Sequence, residues 1–209
     1  MFLATNLFKL SNVKLSPFFH CDQEGWFLLD ALQEILKKWQ FQKQSPFKKG
    51  VFIHNEKEIS IGKGCIIEEG SYLEGPCIIG DGCEIRHGAY IRKGSVIGNE
   101  CIIGHATEVN RSLILDGGKL PHFNYVGDSV IGEGVNLGAG AKCANLRLDE
   151  KEIEIVFEGR RISTGRKKMG ALIGHGAVVG CNAVLNPGTI LLPGAKVLPC
   201  TAVKGVILK

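Results

Sequence analysis

Lys119, His122 and Tyr125 fall within one short segment, DGGKLPHFNYVG, at positions 116–127. A neutral imidazole exchanges a proton near neutral pH, so His122 is a candidate general base. Two basic clusters, Arg160/Arg161 and Arg166/Lys167/Lys168, offer charge-assisted donors to phosphate groups. The other reading of such runs is a solvated loop. His87 and His105 lie 18 residues apart, and three converging His side chains would suit zinc. Eight cysteines could staple the chain or hold a metal, but no C-x-x-C occurs.

What carries these residues is a count of six. From Ile61 an aliphatic residue returns at Ile67, Leu73, Ile79, Ile85, Ile91, Ile97, Ile103, Val109 and Leu115. Two places before each sits a mostly small residue, such as Cys65, Ser71, Cys77, Cys83, Ala89, Ser95 and Cys101. The ladder resumes at Ile131, Leu137 and Cys143, and again from Ile173 through Val179, Leu185, Leu191, Val197 and Val203. A six-residue period fits neither an amphipathic helix nor a long alternating strand. It is the signature of a parallel β-helix with three hexads per triangular coil. The aliphatic anchor and the residue two before it both point into the prism, because side chains alternate along a strand. Gly, at 28 of 209 residues, serves the tight corners. Nineteen hexads predict six coils and a prism about 30 Å tall. A two-sheet sandwich would not hold one register for so long. The ladder also assigns the cysteines: Cys65, Cys77, Cys83 and Cys101 take the small inward site and Cys143 an anchor site, as free thiols packing like small hydrophobes.

Before the prism, Trp26, Leu29, Leu32, Ile35, Leu36 and Trp39 recur at helical spacing behind a potential cap, Asp22. This predicts a helix over 22–39, with its apolar stripe against the first coil or another subunit. Residues 1–50 thus form an N-terminal helical segment and linker, and 51–209 the β-helix. The ladder breaks twice. At 116–127 two residues are lost or four gained, which predicts an outward bulge of a corner. At 146–170 a long insertion includes the alternating EIEIVFEG, read as one strand of a protruding hairpin. Such excursions from a regular solenoid tend to be functional.

The net charge of +4 is dispersed along the chain, which argues against a nucleic-acid reader. No apolar run of eighteen residues predicts a membrane span. The opening MFLATNLFKLSNVKL lacks the basic start and long apolar core of a signal peptide. A cytoplasmic protein is expected.

The segment KLPHFNYVGDSVIGEGVNLGAGAKCANLRLD resembles the acetyltransferase half of bacterial bifunctional glucosamine-1-phosphate acetyltransferase/N-acetylglucosamine-1-phosphate uridyltransferase. It is still more similar to the C-terminal domain of archaeal sugar-1-phosphate nucleotidylyltransferases of the same double activity. With the ladder, the resemblance covers about residues 55–205. It implies a left-handed parallel β-helix, a homotrimer, and acetyl-CoA bound between neighbouring prisms. The reaction implied is acetyl transfer to the amine of glucosamine 1-phosphate or a related hexosamine phosphate, feeding UDP-N-acetylglucosamine. His122 matches the family's catalytic base. Arg92 falls where the family binds phosphate with Arg. Asn110 stands where the family has a phosphate-binding Lys, which leaves Arg111 as the substitute. Tyr125 and Asn136 match positions contacting phosphate and sugar. Asn145 matches an Asn that reads the sugar on the adjacent chain, followed here by Leu146 instead of the bacterial Tyr. Arg166, Lys167 and Lys168 are candidates for the phosphates of CoA, and Cys181 and Pro199 fall near positions lining its pantetheine groove. The family's nucleotidyltransferase half has no counterpart in the fifty residues before the prism, so neither uridyl transfer nor a metal requirement is expected.

Other readings differ in class. A non-catalytic trimeric module binding a sugar nucleotide or a partner protein is consistent with Asn110. An acyl-carrier-protein-dependent acyltransferase of lipid A synthesis shares the prism and a His, but not the H-x-x-Y-x-G-D context. A zinc site of the γ-carbonic anhydrase type would stack His87 and His105 on one edge, with His122 seventeen residues on, where the first break costs the register.

Overall fold

Each hexad contributes a strand of two to four residues, and every third strand stacks in parallel on the one a coil earlier. The computed structural model describes residues 2–12, 14–20 and 22–208. The result is a left-handed parallel β-helix with three faces. One face has eight strands from Phe52–His54 to Ala202–Val203, and a second has eight from Ile59–Ile61 to Val206–Ile207. The third has seven, from Ile66–Ile67 to Lys196–Val197. Eight stacked strands make a prism about 34 Å tall at the usual spacing, not six coils. The six-count misses the strands anchored by Ile53, Leu120, Val126 and Ile207. The last of these shows that the tail VILK adds a further strand to a face.

The first break is also different from the expected bulge. Ile97, Ile114 and Ile131 are in register, so Ile114 is the inward anchor and Leu113 and Leu115 lie outside the prism core. The corner between Val109 and Ile114 is one residue short, and so is the corner directly above it, between Val126 and Ile131. Two single deletions account for the loss of two residues. Both corners turn on a non-glycine residue in the left-handed region, Arg111 (φ 45°) and Asp128 (φ 44°). Residues Lys119–His122 and Tyr125–Gly127 are ordinary strands of the stack.

The Ile-Gly steps have a cause besides corner dihedrals. A Cβ on Gly104 would lie 1.7 Å from the Pro121 carbonyl oxygen of the next coil. The left-handed corner residue is a different one, such as Gly88 at φ 71°.

The inward column is a continuous apolar core that includes Cys77, Cys83, Cys101 and Cys143. Cys65 is partly buried, and Cys181 and Cys200 are exposed. Burial pushes the thiols of Cys77 and Cys143 up to about 12.

One face is buried on both sides. Its outward side chains Ile78, Val96, Leu113, Val130, Leu172 and Ile190 are apolar and lie beneath the N-terminal segment. That segment comprises Ala4–Leu7, a 3-10 turn at Ser16–Phe18, another at Gly25–Phe27, and the α-helix Leu28–Lys38. The helix therefore starts later than 22, Asp22 does not cap it, and its N-terminus has no side-chain cap. Its stripe of Leu28, Leu29, Leu32, Ile35 and Leu36 packs on this covered face and not on the end of the first coil. Further ties run along the prism: Leu10 N–H to Glu133 (2.6 Å), His175 N–H to the Leu7 carbonyl (2.9 Å), and Asn12 Nδ2 to Asp116 (2.7 Å). In the expected linker, Lys43 bridges to Ile61 and continues the sheet.

The insertion at 146–170 forms an antiparallel hairpin, Glu154–Phe157 with Arg160–Ser163. It does not protrude freely. Ile153, Ile155 and Met169 are fully covered within the same outer cluster as the helix.

Candidate functional site

Two edges of the prism collect the candidate residues. On the edge between the third face and the Phe52–Val203 face, Glu69, His87, His105, His122, Ala139, Cys181 and Pro199 form one column. Strand register and corner bonds define it: His105 pairs with His122, the Gly140 N–H donates to the His122 carbonyl (2.9 Å), and the Cys200 N–H to that of Cys181 (2.8 Å). His122 therefore keeps register with the histidines below it, contrary to the expected loss. Among the described residues, no group of three His, Cys, Asp or Glu side chains is arranged to hold a metal ion.

The three histidines are not equivalent. His87 Nδ1 lies 3.2 Å from the Glu69 carbonyl oxygen and His105 Nδ1 lies 2.9 Å from that of His87. Their rings stack at 5.1 Å. Above them the pattern changes at Phe123, a left-handed corner residue (φ 53°). Its ring packs edge-on against His105 at 5.1 Å and takes the place a third stacked imidazole would occupy. His122 is exposed, and among the described residues its ring nitrogens have no hydrogen-bond partner. The corner beneath it is fixed. Buried Asn124 accepts from the His122 N–H (3.3 Å) and donates to the Gly138 carbonyl (2.8 Å), while its own N–H reaches Thr107 (3.2 Å).

Tyr125 and Asn136 flank this edge, one on the outer side of each adjoining face; Asn136 stands one coil above Lys119. Cys181 and Pro199 stand two and three coils above His122, about 10 and 14 Å at the usual strand spacing.

The second edge joins the Phe52–Val203 face to the covered face, and there the two shortened corners stack. Arg111 donates from Nε and Nη2 to the two oxygens of Asp128, at 2.8 and 2.9 Å. This carboxylate holds the guanidinium even further above its ordinary pKa. Asn145 Nδ2 donates to the same carboxylate. A Cβ on Gly127 would lie 2.6 Å from Tyr125 Oη and 2.7 Å from Asn145 Nδ2, so the bare glycine lets both approach. Arg92 sits apart, paired to Glu108 at 2.8 Å and 5.6 Å from the Tyr90 ring centre.

Arg111 shares a cavity of 510 Å³ with Arg166, Lys167, Lys168, Asp128 and the helix residues Leu29, Asp30 and Gln33. Arg166 is ion-paired to Asp30. The structure thus brings Arg166–Lys168 to Arg111, not to the Cys181–Pro199 column where the CoA assignment would put them. Asp128, absent from the residues expected at the site, joins Arg111 and Asn145; its signal in the sequence is the Asp of the Y-x-G-D run.

The chain matches the GMPPB C-terminal domain over residues 73–164. It is 60% identical over 67 residues to a bifunctional sugar-1-phosphate nucleotidylyltransferase/acetyltransferase of Sulfurisphaera tokodaii, covering 32% of this chain and 17% of that protein. It is 33% identical over 166 residues to the bifunctional protein GlmU of Methanococcus aeolicus, covering 79% of this chain and 40% of that protein. The chain thus spans less than half the length of these relatives. Among solved structures, a Bacillus cereus putative acetyltransferase is 16% identical with a TM-score of 0.44, over 77% of this chain and 84% of that one. A Campylobacter jejuni UDP-N-acetylglucosamine acyltransferase is 14% identical with a TM-score of 0.41, over 77% and 65%. The chain is a hexapeptide-repeat β-helix, and it resembles the C-terminal region of the bifunctional sugar-1-phosphate nucleotidylyltransferase/acetyltransferases.

Proposed function

We propose that the protein transfers acetyl from acetyl-CoA to the amine of glucosamine 1-phosphate or a related hexosamine phosphate. The observation that carries this reading is His122: the one imidazole of its column that leaves both ring nitrogens unbonded, on a corner locked by Asn124. The amine is protonated near neutral pH and attacks only after losing a proton. That first proton goes to solvent; as the neutral amine attacks the thioester carbonyl, His122 takes a second proton from the same nitrogen. The C–S bond then breaks, the amide forms, and the proton passes to the CoA thiolate.

Cys181 and Pro199, above His122 in the same column, suit the pantetheine arm. Asn136 on its flank suits the sugar, and Tyr125, whose hydroxyl lies at Gly127 beside Asn145, suits the phosphate. Arg111, with Arg166, Lys167 and Lys168, suits phosphate; Arg92 is a second phosphate candidate across the face. The relatives' names, sugar-1-phosphate nucleotidylyltransferase/acetyltransferase among them, support the substrate class. The assembly we favour is a cytoplasmic homotrimer in which the covered face is unavailable and Asn145 of one prism approaches the His122 edge of the next. No metal takes part in the proposed steps.

Incubation with acetyl-CoA and glucosamine 1-phosphate, followed by free thiol release, tests this. Release that depends on the amino sugar is expected. None with any hexosamine phosphate would remove the proposal and leave the non-catalytic module.

A further inference from the structure

Asp128 lies on the shortened corner at φ 44° with only 9% of its surface exposed. A carboxylate only accepts hydrogen bonds, so its partners are forced into defined orientations. Arg111 uses its Nε–H and one Nη2–H on Asp128. Of the five guanidinium N–H groups three are left over, and two of these, one from each Nη, point outward together along the Nη1–Nη2 edge. That edge is the fork that binds a phosphoryl group bidentately. Asn145 spends an amide N–H on the same carboxylate, which fixes the amide so that Oδ1 turns away from Asp128 as a free acceptor. A hydroxyl group is the donor it would take.

We propose that Asp128 is a positioning residue: it aims the free edge of Arg111 at a phosphoryl group and the Asn145 carbonyl oxygen at a hydroxyl of the same sugar phosphate. This deepens the acetyl-transfer reading and rests on it for the substrate. The cavity agrees in charge, since Arg111, Arg166, Lys167 and Lys168 face two carboxylates, Asp30 and Asp128. The surplus of two matches a phosphate monoester dianion. Asp128 also explains why two residues 34 positions apart act together: Arg111 and Asn145 belong to successive coils below and above it.

The test uses Asp128→Asn and Asp128→Gly. Asn and Gly both tolerate the left-handed region, so the corner itself survives in each. In each variant the KM for glucosamine 1-phosphate should rise about tenfold or more with kcat nearly unchanged, the pattern of lost binding that is uniform through the reaction. The KM for acetyl-CoA should stay within about twofold. An unchanged KM for the sugar phosphate, or a parallel loss on both substrates with a lowered melting temperature, would overturn the proposal. Calorimetric titration with inorganic phosphate provides a readout that needs no acetyl transfer. Weaker phosphate binding in both variants, in a protein that releases no thiol, would retain Asp128 while removing the acetyl-transfer reading. Equal phosphate binding in wild type and variants would overturn it directly.

Discussion

His122 stands directly above His105, its partner in strand register one coil below, yet only His105 has its Nδ1 on a backbone carbonyl. The two should therefore separate in function. His122→Ala is expected to lower acetyl transfer by about two to four orders of magnitude, the usual contribution of a general base. His105→Gln should leave the rate within about threefold, because its ring is spent on a corner bond and a stack. Thiol-release assays on both variants decide this, and comparable losses in the two would argue against a special role for His122.

The covered face makes an unusual stability prediction. In a bare prism, outward residues are surface residues, and truncating them costs little. Here Leu172 is outward but fully buried beneath the N-terminal segment. Leu172→Ala should cost about 2–5 kcal/mol. Lys142→Ala, outward on the exposed Phe52–Val203 face, should stay within about 0.5 kcal/mol. Urea denaturation of the two variants measures the difference.

The inward half of the repeat is legible in the sequence because one aliphatic per hexad has nowhere else to go. The covered face leaves a signal too. The outward residues Ile78, Val96, Leu172 and Ile190 recur on every third strand and are apolar, which a solvated face would not require. The shortened corners are harder. Leu113, Ile114 and Leu115 are all aliphatic, so any of them could anchor the coil, and an unbroken six-count selects Leu115. Only the stacking of Ile114 between Ile97 and Ile131 decides it. His122, Tyr125 and Asn145 are legible through the motif they share, whereas the meeting of Arg111 with Arg166–Lys168 depends on the arm folding back, which no local pattern encodes.

The thiols should divide by reactivity. Cys77 and Cys143 are fully buried, and burial pushes both up to about 12. Thiolate is the reactive form, so neither should react with iodoacetamide at about pH 8 in the native protein. Cys181 and Cys200 are exposed and should label within minutes. Peptide mapping before and after unfolding checks this, and native labelling of Cys143 would contradict the packed core.

Asp81 should contribute to acid sensitivity. The Lys63 N–H donates to its carboxylate at 2.9 Å and Lys14 pairs with it at 3.3 Å, and both hold its pKa below the ordinary value. The unfolded chain titrates this group near about 3.9. With the folded value lower, the stabilisation is complete above about pH 4 and is lost as pH falls through the folded value. Asp81→Ala should therefore be less stable than wild type at about pH 7, and the gap should narrow below about pH 4. Denaturation midpoints measured across that range test the sign.

Two glycines separate close approach from backbone freedom. Gly104 has an ordinary φ, but a Cβ there would lie 1.7 Å from the Pro121 carbonyl oxygen of the next coil. That oxygen belongs to the backbone carrying His122, so it cannot yield without moving the corner. Gly64 is the reverse case: its φ is +67° and nothing lies within 4 Å of where a Cβ would stand. Gly64→Ala should cost about 1–2 kcal/mol, the left-handed penalty alone, and leave activity intact. Gly104→Ala should cost clearly more and lower acetyl transfer in whatever fraction folds, because the clash pushes directly on the strand Lys119–His122. Equal melting temperatures for the two variants would mean that neighbouring coils are not in contact at this edge.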